Sequence, residues 1–124
     1  MRQRVLIVDD NEDVRHILAR RLTLAGFDVA AAADGREGLA VLRNGRWDLV
    51  LLDLMMPELD GFEFLAQVRD EQATPPIVVI TQYDDPSNRA RALALGAASY
   101  FGKSHALERS FAGTLRSYLS GRRS

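Results

Sequence analysis

The chain has 124 residues, 47% of them apolar and 27% charged, with a formal net charge of −1 and no cysteine, the balance of one ordinary globular domain. The lack of cysteine excludes a disulfide framework, a thiolate metal site and a cysteine nucleophile, and the near-neutral charge leaves no general attraction to nucleic acid or anionic lipid. No run reaches the roughly 18 apolar residues of a membrane span and the N-terminus lacks a signal-peptide pattern, so a cytoplasmic protein with no membrane or direct nucleic-acid partner is expected.

Residues 5–8 form a short apolar, β-branched run expected to be a strand. Residues 12–25 place Val14, Ile17, Leu18 and Leu22 on one stripe, a helix that Asp10 or Asn11 caps and Gly26 stops. A weaker strand, diluted by alanines, follows at 28–31, then a helix at 36–43 carrying Leu39 and Leu42. Trp47 should pack at the entry to a third strand, 49–52, and a helix at 62–69 presents Phe62, Leu65 and Val68. Pro75 and Pro76 lead into a fourth strand at 77–81, and Pro86, capped by Asp85, opens a helix over 86–95. A strand at 99–101 precedes one last helix from Ser104, its N-cap, with Leu107, Phe111, Leu115 and Leu119 as its stripe.

Strand and helix thus alternate five times, and runs such as "VLIV", "LVLL" and "IVVI" suit a sheet covered on both faces. The expected fold is an α/β, (βα)5 doubly wound five-stranded parallel sheet, flavodoxin-like, in the order 2-1-3-4-5 with the two least apolar strands at the edges. Residues 1–120 should form the domain, with 121–124 a tail or the start of a linker and a stand-alone chain slightly favoured.

In such sheets ligands bind beyond the carboxyl ends of the strands, near the switch point between strands 1 and 3. The polar residues fall there: Asp9 and Asp10 end strand 1, Asp53 ends strand 3, Thr81 ends strand 4, and Lys103 follows strand 5. Two like charges about 4 Å apart cost roughly 4 kcal/mol at an effective dielectric near 20, so three carboxylates on one rim need a cation. Lys103 is one candidate, and the oxygen-rich set suits Mg²⁺, which keeps several waters and accepts carboxylates together with phosphate oxygens. His16 and His105 have no second ligand at metal spacing and are expected to be surface or capping residues. Met55 and Met56 read as core filling, and Arg89 and Arg91 as a solvated helix face.

With Asp9-Asp10 in "VLIVDDN", Asp53 in "VLLDLMMPELDGFEFL", Thr81 in "IVVITQYDD", Gly96-Ala97 and Tyr100 in "LGAASYF", and Lys103 all in order, the chain resembles the receiver domain of two-component response regulators over essentially its full length. The resemblance implies that Asp53 is the phosphoacceptor for a phosphohistidine on a sensor histidine kinase or phosphotransfer protein. It implies that Asp10, Asp53 and the backbone carbonyl of Met55 hold Mg²⁺ with Asp9 in support. Thr81 and Lys103 would bind the phosphoryl oxygens, and Tyr100 would be a switch aromatic that turns inward as Thr81 moves. Such a domain is a signalling switch and not a turnover enzyme.

Three positions depart from the usual family pattern. Ser104 follows Lys103 where proline is common; a cis bond without proline costs about 2.5–4 kcal/mol, so a trans bond and an altered loop are expected. Gln82 follows the switch threonine where a small residue is usual, and with Met55 it is a candidate modulator of phosphoryl lifetime. Ser99 stands before Tyr100 where many DNA-binding regulators carry an acid, which weakens one dimer mode and leaves a homodimer open. Two other functions compete: a pseudo-receiver that binds partners without taking phosphate, and a Mg²⁺-dependent phosphohydrolase resembling the haloacid-dehalogenase superfamily. The latter needs a second aspartate where Met55 stands.

Overall fold

The computed structural model describes residues 2–71 and 74–122. Its elements are β1 (Arg4–Val8), α1 (Glu12–Leu24), β2 (Asp28–Ala32), α2 (Gly35–Arg43), β3 (Leu49–Asp53), α3 (Gly61–Val68), β4 (Ile77–Thr81), α4 (Pro86–Ala94), β5 (Ser99–Gly102), α5 (Lys103–Ala106) and α6 (Phe111–Arg122). The strands make one parallel sheet in the order β2-β1-β3-β4-β5. The order and the edge strands are those expected from the apolar runs. Among the described residues no helix is long and apolar enough to cross a membrane. Part of the tail expected at 121–124 lies outside the described residues, α6 running on to Arg122.

Side chains alternate across each strand, and the central strands bury both sets. Leu6, Val8, Val50, Leu52 and Val79 face α2, α3 and α4, where Phe62, Phe64 and Leu65 close one core layer. Val5, Ile7, Leu49, Leu51, Val78 and Ile80 face α1 and α6, where Leu18, Leu22, Phe111 and Leu115 close the other. The caps carry the chain from sheet to helix. Asn11 is the one that caps α1, its side chain accepting from the Val14 N–H at 3.0 Å. Asp85 caps α4 with Pro86 in the first turn, and Asp60 and Glu63 form a reciprocal capping box on α3. Gly26, at φ 99°, ends the first helix as expected.

The single last helix expected from Ser104 is broken in two. At about 100° per residue, positions five apart on one helix point roughly 140° from each other, yet Ala106 and Phe111 are both buried in the same layer. On one continuous helix the two would point well apart; instead the helix stops at Ala106 and restarts at Phe111, and the Leu107 carbonyl accepts from Arg21 of α1. Ser104 is not the N-cap: Gly102 holds that position without a side-chain bond, and Lys103 is already the first residue of α5. The described residues contain no cis peptide bond, as expected for Lys103–Ser104.

The loop after β3 returns tightly over the strand it leaves. A Cβ on Gly61 would lie 2.5 Å from the Asp53 carbonyl oxygen and 2.7 Å from the Leu54 Cα, both backbone atoms with little room to shift. Gly61→Ala is therefore expected to destabilise the fold by about 1–3 kcal/mol, read as a lower urea midpoint. An unchanged midpoint would contradict this packing.

Candidate functional site

Each polar residue at the rim is delivered by the end of a strand. Asp9 follows β1, and its N–H donates to the Ala32 carbonyl at 3.1 Å, extending the pairing with β2. Its side chain is fully buried; Oδ1 accepts from the Asn11 N–H at 2.9 Å and from Lys103 Nζ at 3.2 Å. Asp53 is the last residue of β3, 2% exposed, with Oδ2 3.3 Å from Lys103 Nζ and Oδ1 accepting from the Met55 N–H at 3.4 Å. Asp10 is exposed at the rim. One carboxylate oxygen from each of Asp9, Asp10 and Asp53 lies within 4.8 Å of the others.

The structure thus brings Asp9, Asp10, Asp53 and Lys103 together. Lys103 Nζ sits 3.0 Å from Asp9 Oδ2, but the ammonium's hydrogen bond goes to Oδ1, and Oδ2 is a buried acceptor without one. That contact is ionic only, which leaves Oδ2 free lone pairs. Three carboxylates with an under-coordinated buried oxygen fit a hard divalent cation such as Mg²⁺.

The electrostatics follow from burial. Desolvation pushes the Asp53 carboxyl up from its ordinary 3.8 to about 7, the negative charge of Asp9 adding to it; the Lys103 ammonium and the Met55 N–H pull it back only in part. Burial works to lower Lys103, but the charges and hydrogen bonds of Asp53 and Asp9 outweigh it and hold the ammonium above its usual range. Lys103 is a cation at any physiological pH.

A pocket of about 340 Å³ opens onto this cluster, lined by Asp10, Asn11, Asp53, Met55, Gln82, Tyr83 and Lys103. Met56 is buried in the core as expected, but Met55 is 41% exposed and forms pocket wall, so the expectation that it fills the core fails. Thr81 is fully buried and does not line the pocket; its hydroxyl accepts from the Tyr83 N–H at 3.1 Å. Tyr100 is buried, and its hydroxyl donates to the Tyr83 carbonyl at 3.0 Å. Burial raises its phenol, and Asp84 and Asp85 add to the rise against the opposing Arg89.

Tyr83 therefore joins Thr81 to Tyr100 through its two backbone groups, a role the sequence does not signal because any residue but proline supplies them. The arginines of α4 are not simply solvated. The Arg89 guanidinium lies 5.2 Å over the Tyr100 ring and that of Arg91 4.0 Å over Phe62. His105 stacks on Phe101 at 5.3 Å and stands 3.6 Å from Glu108, away from the acid cluster. Trp47 lies two residues before the opposite end of β3, under Arg4, about 20 Å of extended chain from Asp53.

A family model for the response regulator receiver domain matches residues 5–112. The chain is 45% identical over 105 residues to a response regulator MprA of Mycolicibacterium vanbaalenii, a match covering 85% of this chain and 46% of that relative. It spans less than half the length of the curated relatives it matches. Among solved structures it is similar to the chemotaxis protein CheY4 of Vibrio cholerae, with a TM-score of 0.85 and 33% identity over 94% of this chain and 98% of that one. A CheY-like receiver domain protein of Methanospirillum hungatei superposes with a TM-score of 0.90 at 27% identity, over 99% of this chain and 98% of the other. Sheet order, acid cluster and matched span agree, and the chain belongs to the response regulator receiver domain family.

Proposed function

We propose that the protein is a phosphorylation-controlled switch of a cytoplasmic two-component system, in which Asp53 accepts a phosphoryl group from the phosphohistidine of a sensor histidine kinase or phosphotransfer protein. The observation that supports this most is the convergence of the Asp9, Asp10 and Asp53 carboxylates beside Lys103 at the mouth of an open pocket. An oxygen of ionised Asp53 forms the new O–P bond as the P–N bond to the imidazole breaks, and that electron pair stays on the imidazole nitrogen. Such a transfer asks a site mainly for positioning and for cancellation of charge on the phosphoryl oxygens.

Asp10, Asp53 and the Met55 carbonyl would hold Mg²⁺, with Asp9 in support; when bound, the ion offsets the carboxylate charge and that of the phosphoryl oxygens. Lys103 supplies a second positive charge to the phosphoryl group once Asp53 no longer carries a free carboxylate. The Thr81 hydroxyl accepts from Tyr83 and keeps its own proton to donate to a phosphoryl oxygen. Any movement of Thr81 toward the pocket acts on Tyr83, and through its carbonyl on Tyr100, which passes the change to a partner or an output domain. Gln82 and Met55, as pocket wall, would govern how water reaches the phosphoaspartate.

Incubation with acetyl phosphate and Mg²⁺ should add one phosphoryl group to the intact mass of the wild type and none to Asp53→Asn. A modification that survives this substitution would sink the assignment, and an inert wild type would favour the pseudo-receiver.

The raised Asp53 carboxyl sets a pH dependence. Between 3.8 and about 7 the unfolded chain has lost a proton that the fold retains. The stability contributed by Asp53 is therefore complete below 3.8 and declines as pH rises through about 7. Asp53→Asn should remove that decline in the metal-free protein, seen in urea midpoints measured across the range. Mg²⁺ competes with the same proton, so calorimetry should show affinity rising from about pH 6 to about pH 8; equal affinity at both would contradict Asp53 as a ligand. At one hundred times its Kd the ion should stabilise the fold by about 2.7 kcal/mol.

A further inference from the structure

We infer that Arg15 is a positioning residue for the acid cluster: its guanidinium, bonded to the main-chain carbonyl of Asp9, sets the direction from which Asp10 meets a divalent cation. The inference rests on the reading of Asp9, Asp10 and Asp53 as a Mg²⁺ site.

The two adjacent aspartates are held differently. The Asp9 carboxylate is fixed by the Asn11 N–H and the Lys103 ammonium. The Asp10 carboxylate is exposed and, among the described residues, accepts no hydrogen bond and joins no ion pair. Its aim is inherited from its backbone. The Asp9 carbonyl and the Asp10 N–H belong to one planar peptide unit, and Arg15 Nη1 donates to that carbonyl oxygen at 2.9 Å. The Asp9 N–H on the preceding unit is tied to Ala32, so the peptide between the aspartates would be the free joint of the β1–α1 turn were it not for Arg15.

The arginine reaches back from the first turns of a helix whose start is itself fixed by the Asn11 cap. Among the described residues it has no carboxylate partner of its own, so its charge-assisted bond goes to the backbone of the site. Groups that orient metal ligands from behind typically change metal affinity about 10- to 100-fold when removed.

The test measures Mg²⁺ affinity by calorimetry, with thermal unfolding in chelator as a second readout, for Arg15→Met, Arg15→Gln and Arg20→Met. Arg20 is exposed on the same helix with no partner among the described residues, so its variant loses the same charge without the contact. Both Arg15 variants should bind Mg²⁺ about tenfold more weakly, while their metal-free melting temperatures stay near that of the wild type; Arg20→Met should bind as the wild type does. Should one Arg15 variant fail to fold, the other carries the same expectation. Wild-type affinity in a folded Arg15 variant overturns the inference, as does an equal loss in Arg20→Met, which would make the effect one of the helix as a whole, since removing a positive charge by itself favours a bound cation. A wild type that binds no Mg²⁺ overturns the reading of the site and the inference with it, which separates the two failures.

Discussion

Three carboxylates at the end of a buried sheet, two of them almost without solvent, impose a condition that much of the chain serves. Desolvation of Asp9 and Asp53 is tolerable only with a cation between them, and the Lys103 ammonium stands within 3.3 Å of both. To bring a lysine there the edge strand β5 must hand directly into a helix turn, with no loop between Gly102 and Lys103. Ala106 then faces the α1–α6 layer, and the helix stops and restarts before Phe111 joins it there.

The parts of this arrangement that could be read from the sequence are those in which side-chain chemistry is the whole signal. Continuous apolar runs fixed the central strands, alanine and serine marked the weak edges, and acids, threonine and lysine at strand ends marked the rim. The helix break was hidden because Leu107, Phe111, Leu115 and Leu119 satisfy a helical stripe whether or not the first of them belongs to it. The Asn11 cap stood beside an equally good candidate in Asp10, and only backbone geometry separates them. Tyr83 and Arg15 were missed for a related reason. Tyr83 acts through its N–H and carbonyl, and Arg15 bonds to another residue's carbonyl, so neither leaves a pattern of residue types.

The mis-assignment of Met55 has the same origin as the tight turn at Gly61. A methionine next to another methionine suggests core, but the chain after Asp53 must reverse close enough for the Gly61 N–H to reach the Leu54 carbonyl at 2.8 Å. Between them Met55 stays exposed while Met56 and Leu59 turn into the core. Exposure of Met55 and burial of Met56 are then two sides of one loop.

The link through Tyr83 bounds how the proposed switch can work. Inverting a 1:99 equilibrium takes about 5.5 kcal/mol of differential binding, whereas a neutral hydrogen bond such as Tyr83 to Thr81, or Tyr100 to Tyr83, contributes only about 0.5–1.5 kcal/mol net. Rearranging those two bonds cannot drive a full inversion. The remainder must come from charged contacts that exist in one state alone, each worth about 1.5–3 kcal/mol. Lys103 is the obvious source, but it is already engaged by Asp9 and Asp53, so a phosphoryl group gains from it only the difference between the new partner and the old. On the proposed reading, the contacts that a divalent cation held by Asp10 and Asp53 would gain to the phosphoryl oxygens exist in the phosphorylated state alone and would add to the switching energy.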